Sequence, residues 1–163
     1  MQYVFVMGGW NGVSCNSDIA VYSPDGAPSA HMAPNARNML SPRDALASAV
    51  VDHDVLALGG HDGSNYLASC EIYTASTPGK GRFTGWTLLP AMGTTRAFHG
   101  AGAIRRKVFA FGGQGSQSGP PGDYGAGGPP RSASVLSSLE VLDLECGIWT
   151  SGPPLPTART MVA

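Results

Sequence analysis

Three times in 163 residues a short apolar run stops at a pair of glycines. Val4-Phe5-Val6-Met7 runs into Gly8 and Gly9, Val55-Leu56-Ala57-Leu58 into Gly59 and Gly60, and Val108-Phe109-Ala110-Phe111 into Gly112 and Gly113. The pairs begin at 8, 59 and 112, so the chain repeats after 51 and then 53 residues. A period of that length, built on short apolar runs, belongs to a repeat architecture rather than to one irregular core.

The letters of the unit follow from its chemistry. Four apolar, β-branched or aromatic residues are too few for a helix and suit a buried strand. Two glycines at its end mark a place that needs backbone freedom, or room that a Cβ would block. Tyr22 and Tyr73 each lie 13 residues beyond the second glycine and close the strand-like triplets Ala20-Val21-Tyr22 and Glu71-Ile72-Tyr73. Equal spacing predicts equal geometry.

Twenty-three glycines and 13 prolines disfavour helices but suit many short strands joined by turns, so the chain is expected to be all-β. With 42% hydrophobic and 13% charged residues it has the balance of a globular protein. A net charge of −1 supplies no basic stripe to neutralise phosphates, which excludes nucleic acid as the expected partner. No stretch approaches the roughly 20 apolar residues of a membrane span, and no N-terminal segment has the basic flank and apolar run of a leader, so no membrane partner is expected. Cys15, Cys70 and Cys146 are odd in number, far apart and without a nearby histidine pair. They imply neither a disulfide framework nor a zinc site, and reduced thiols point to a cytoplasmic setting.

Each copy continues in the same order. Arg43 and Arg96 stand 16 residues before Gly59 and Gly112, and each opens a run of small residues, Ala45 to Val51 and Phe98 to Ile104. The first of these runs is expected to form a strand buried on both faces. Trp86 and Trp149 stand ten residues before Arg96 and Arg159. The copies are placed at 1–38, 39–92 and 93–156, with 157–163 opening another. Residues 23–38 are rich in turn formers and leave the fourth strand of the first copy undefined. Residues 114–134, from Gln114 onward, form a polar insertion of glycine, proline and serine, expected to be a flexible surface loop.

This set of Gly-Gly, Tyr, Trp, Leu-Pro-x-Met and Arg, at these intervals, resembles the kelch repeat, and is nearest in pattern to the kelch-like adaptor proteins. The resemblance covers nearly the whole chain and is densest from Arg43 to Met92. It implies a β-propeller in which each repeat makes one four-stranded blade. The inner strand follows the Arg, the second ends in Gly-Gly, the third carries the Tyr and the outer one the Trp. Two positions depart from it: Ala33 stands where the first copy should have Trp, and Leu142 where the third should have Tyr. Propellers close rings of about four to eight blades, and three copies make a partial ring. The arrangement is expected to be part of a longer chain with further blades, or half of a six-bladed ring closed by a homodimer.

The repeated residues Gly8, Gly9, Gly59, Gly60, Gly112, Gly113, Tyr22, Tyr73, Trp86, Trp149, Arg43, Arg96 and Arg159 are structural on this reading. In the resembling family, the loops after the Gly-Gly strand grip a peptide or partner domain. By position those are Trp10 to Asn16, His61 to Tyr66 and the insertion, which nominates Trp10, Asn11, His61, Asn65, Tyr66 and Gln114 as contacts. Adaptors of cullin-type ubiquitin ligases carry an arginine two residues after the repeat Arg and read acidic peptides with it; Ala45 and Phe98 stand there instead. The expected function is a protein- or peptide-binding scaffold without a cofactor, the recognition part of a ubiquitin-ligase adaptor. The alternative is a piece of a kelch-type enzyme such as a copper radical oxidase. Copper needs a convergent His and Tyr set, which His31, His53, His61 and His99 do not supply by repeat position.

Overall fold

The computed structural model describes residues 3–27, 38–74, 85–115 and 133–162, and every regular element among them is a strand. The second copy forms an antiparallel sheet of β3 (Ala47–Val51), β4 (Asp54–Leu58), β5 (Cys70–Tyr73) and β6 (Trp86–Leu89), in that spatial order. The third copy repeats it with β7 (Gly100–Ile104), β8 (Lys107–Phe111), β11 (Leu139–Asp143) and β12 (Ile148–Gly152). The first copy contributes the pair β1 (Val4–Met7) and β2 (Ile19–Tyr22), and a short ladder joins β9 (Gln114–Gly115) to β10 (Ser134–Val135). The sequence-based order of inner, glycine-terminated, Tyr and Trp strands therefore holds in both complete sheets, which are blades of an all-β propeller.

The glycine pairs have one geometry. Gly8, Gly59 and Gly112 have φ of 64°, 56° and 64°, and a Cβ on them would lie 2.4, 2.4 and 2.8 Å from the carbonyl oxygens of Arg43, Arg96 and Arg159. The second glycine of each pair then donates its N–H to that same carbonyl, Gly9 to Arg43 at 2.9 Å, Gly60 to Arg96 and Gly113 to Arg159 at 2.8 Å. Each turn is thus sewn to the start of the following copy.

The arginines are buried anchors. Arg43 Nη1 donates to the Gly59 carbonyl at 2.6 Å and the Ser69 carbonyl at 3.0 Å, while Nη2 reaches Ser69 Oγ and the Glu71 carboxylate. Arg96 does the same with Gly112, Ser138 and Glu140. Glu71 lies opposite Ala57 and Glu140 opposite Ala110, small residues that leave room for the ion pair. The acid's other bonds come from the Leu40 and Ser41 amides in one blade and the Gly93 amide in the other. Neither glutamate was singled out from sequence, although both repeat two residues before the Tyr position.

Two apolar clusters fill the gaps between blades. Met39, Val55, Ala57, Tyr73 and Trp86 meet Phe5 and Met7 between blades one and two, with the Phe5–Tyr73 and Tyr73–Trp86 ring centroids 5.8 and 5.6 Å apart. Ala49, Val51, Leu56, Leu58 and Met92 meet Val108, Ala110 and Leu142 between blades two and three. Leu142 thus serves as a core residue where the other copies place tyrosine. Trp149 is half-buried and donates Nε1–H to the Pro90 carbonyl at 2.8 Å, across the same junction. Tyr22 is half-buried at the end of β2.

One expectation changes, and two details are added. First, β3 is not buried on both faces: Ala47, Ala49 and Val51 face blade three, while Ser48 and Val50 are exposed. Their neighbour would be an inner strand for the first copy, and no described residue supplies one. Second, at the ends of the insertion Gln114, Gly115 and Ser134 are paired in β9 and β10. Third, Arg159 is exposed, unlike Arg43 and Arg96, because no described residues supply the glutamate and carbonyls of its own blade. The central part of the insertion, the fourth strand of the first copy and Ala33 lie outside the described residues.

Candidate interaction face

After each Gly-Gly the chain makes a narrow hairpin at the same end of its blade: Trp10 pairs with Cys15, His61 with Tyr66, and β9 with β10. Gly12 and Gly63, with φ of 96° and 100°, turn the first two. An Asx side chain caps both turns. Asn11 Oδ1 accepts the Val13 and Ser14 amides at 2.8 Å each, and Asp62 Oδ1 accepts the Ser64 and Asn65 amides at 2.8 and 2.7 Å. Burial raises the Asp62 pKa, but these bonds outweigh it and hold the carboxyl below its usual range.

The nominated contacts therefore divide. Asn11 and Asn65 are exposed but committed to their turns, Asn11 Nδ2 reaching Asn16 Oδ1 at 3.2 Å and Asn65 Nδ2 reaching Asp62 Oδ2 at 3.4 Å. Trp10 is 55% exposed. Tyr66 is half-buried and meets the His61 ring edge-on at 5.3 Å. Gln114 is half-buried, and its backbone pairs with Ala97 as well as with Val135.

The starts of the inner strands share this end, since Asp44 pairs with His61 and Ala97 with Gln114. Ala45, Phe98 and Met161 have φ of 46°, 53° and 53°, a left-handed conformation that costs a non-glycine residue about 1–3 kcal/mol. Hydrogen bonds between blades hold them there: Phe98 N–H to the Ala45 carbonyl at 2.9 Å, and Val162 N–H to the Phe98 carbonyl at 3.4 Å. Phe98 and Met161 are exposed on the face as a result. Sequence spacing identified position 98 only as the site of a missing arginine; its backbone strain has no sequence signal.

Beneath the face, His99 is buried, and both ring nitrogens lack hydrogen-bond partners. Burial, and then the Arg96 charge, bring its pKa down to about 3. Cys15 is buried between the first two hairpins, 3.8 Å from where a Cβ on Gly63 would sit. Burial, and then the Asp44 charge, raise its thiol pKa. His53 lies in the turn between β3 and β4, at the other end of β4 from His61, and His31 lies outside the described residues. His53 is therefore held apart from His61 by the length of β4. No helix among the described residues is long and apolar enough to cross a membrane.

Comparison with known proteins gives the same repeat. A family model for the Kelch motif matches residues 42–77 and 95–156, more than half of the chain. Over 77 residues, 47% of this chain, the sequence is 38% identical to Kelch-like protein 34 of Homo sapiens. The match spans 10% of that protein's length.

Proposed function

This chain belongs to the kelch family, and from that premise we propose that the loop face of its blades binds a protein or peptide segment, without chemistry of its own. The observation that carries this is the exposure of Trp10, Phe98, Val135 and Met161 at one end of the blades, on backbone held by glycine turns and inter-blade hydrogen bonds. Exposed aromatic and apolar groups on a rigid frame are what interface anchors require. Ala45 and Phe98 stand where a guanidinium would select acidic ligands, and Asp44 and Asp62 add negative charge nearby. The preferred segment is therefore apolar or aromatic and not acidic.

In the cell this role is that of the recognition part of a larger cytoplasmic adaptor, of the kind that presents substrates to a ubiquitin ligase. Val4 and Val6, on the side of β1 away from blade two, and Val50, on the open face of β3, call for cover, and further blades of a longer chain, or a second copy closing a six-bladed ring, supply it.

Selection of a random peptide display library on the immobilised chain, followed by titration of the winning peptide, tests the proposal. Trp10→Ala and Tyr66→Ala are expected to weaken binding about tenfold or more with melting unchanged, while His53→Ala at the opposite end leaves it intact. Equal affinity in all three variants, or enrichment of acidic peptides, refutes the reading.

A further inference from the structure

The junction between blades one and two gathers three side chains that the repeat itself does not need. Cys15 closes the first hairpin, Asp44 follows the buried Arg43, and His61 follows Gly60. Asp44 and His61 exchange two backbone hydrogen bonds of 2.9 Å, and the Cys15 thiol donates to the His61 carbonyl at 3.4 Å. This frame brings one thiol sulfur, one carboxylate oxygen and one imidazole nitrogen within 4.8 Å of one another.

The next junction serves as an internal comparison. There Ala97 and Gln114 exchange the same two backbone bonds, at 2.8 Å, and Tyr66 stands where Cys15 stood. Tyr, Ala and Gln thus support the same backbone as Cys, Asp and His, so the fold does not explain the second set. Local hydrogen bonding accounts for only part of it, since His61 Nδ1 accepts the Gly63 amide at 3.1 Å. Asp44 Oδ1 is buried and accepts no hydrogen bond, and it lies 4.0 Å from His61 Nδ1.

We propose that Cys15, Asp44 and His61 bind a divalent metal ion of the zinc class, with its fourth position open to solvent on the loop face. At ordinary zinc bond lengths, tetrahedral donor atoms lie roughly 3.3–3.8 Å apart, so the trio needs to close by only about 1 Å. Thiolate and imidazole favour zinc over calcium or magnesium. Binding replaces the S–H bond with an S–metal bond and releases that proton to solvent. Thiolate and carboxylate then balance the two positive charges, while imidazole binds neutral. The side chains of His61 and Asp44 are 29% and 26% exposed, which leaves the ion a way in.

Cobalt(II) titration of the chain carrying Cys146→Ser, which removes the exposed thiol, tests this. A thiolate-to-cobalt charge-transfer band saturating at one equivalent, displaced by zinc, and a zinc-dependent rise in melting temperature are expected. Cys15→Ser should abolish the band. Asp44→Ala and His61→Gln install the residues of the next junction, and should weaken binding by about tenfold or more while preserving the β-sheet circular dichroism. Absence of the band, its persistence in Cys15→Ser, or unchanged affinity in both other variants overturns the proposal. If a substitution unfolds the chain, metal protection of Cys15 from alkylation in the otherwise native chain decides: protection supports the site, and unchanged labelling overturns it.

Discussion

Replacing Arg43 with methionine keeps the aliphatic stem and removes the guanidinium. Four hydrogen bonds go with it, to the Gly59 and Ser69 carbonyls, Ser69 Oγ and the Glu71 carboxylate. Arg43 and Glu71 are both 0% exposed, so water cannot replace what is lost. Glu71 is left as a buried charge with the Leu40 and Ser41 amides. Breaking a buried ion pair from one side costs roughly 3–5 kcal/mol, mostly the penalty of the stranded partner. For a chain of this size that corresponds to a fall in Tm of about 6–20 °C. Arg159 provides the control, because it is the same repeat residue but exposed, and Arg159→Met should change stability by no more than about 0.5 kcal/mol. Arg96→Met should resemble Arg43→Met, since its bonds are the same. Urea unfolding followed by tryptophan fluorescence, with buried Trp86 as a reporter, measures all three. A loss below about 1 kcal/mol at Arg43, or equal losses at Arg43 and Arg159, would refute the reasoning.

Two further outcomes follow from buried groups. The His99 pKa is about 3 in the folded chain and near its ordinary value of 6.5 in the unfolded one. Below pH 6.5 the unfolded chain takes up a proton that the folded chain refuses, so this contribution is intact above 6.5 and lost as pH falls towards 3. The slope is roughly 1.4 kcal/mol per pH unit. His99→Leu, which installs the residue of the equivalent Leu46, should flatten urea midpoints over that window; an unchanged slope would show that another group is responsible. Gly59→Ala would drive a Cβ to 2.4 Å from the Arg96 carbonyl, whereas at Gly9 nothing lies within 4 Å and only the φ of 97° resists. Gly9→Ala should cost about 1–3 kcal/mol and Gly59→Ala more, as judged by the same denaturation; the reverse order would mean that close approach does not set the glycine requirement.

The repeat was legible because its signals are local. Gly-Gly after an apolar run, Tyr at a fixed distance and Trp ten residues before Arg all lie on one stretch of chain, and each maps onto one strand or one turn. Glu71 and Glu140 were harder to see. Each looks like a polar letter in a strand triplet until the fold places it beside an arginine 28 or 44 residues earlier. The open face of β3 was missed for a related reason: small residues fit any crowded strand, and their composition does not say whether a neighbour lies on one side or two. On the loop face, the pattern located the hairpins and Trp10. It could not show that Asn11 and Asn65 are committed to their turns, because that depends on which groups the fold brings to them. Cys15, Asp44 and His61 come from different stretches, and their spacing matches no ligand motif.

The amides of Gly9, Gly60 and Gly113 all find their acceptor on an arginine that has yet to be reached along the chain. A nascent sheet emerging from the ribosome thus carries an unfinished stitch until its successor arrives. The natural module for swapping or deleting sequence runs from arginine to arginine and does not coincide with a sheet. A segment from Arg43 through Arg96 holds both the Gly60 amide and its acceptor, and one that stops at the edge of the sheet, at Leu89, does not.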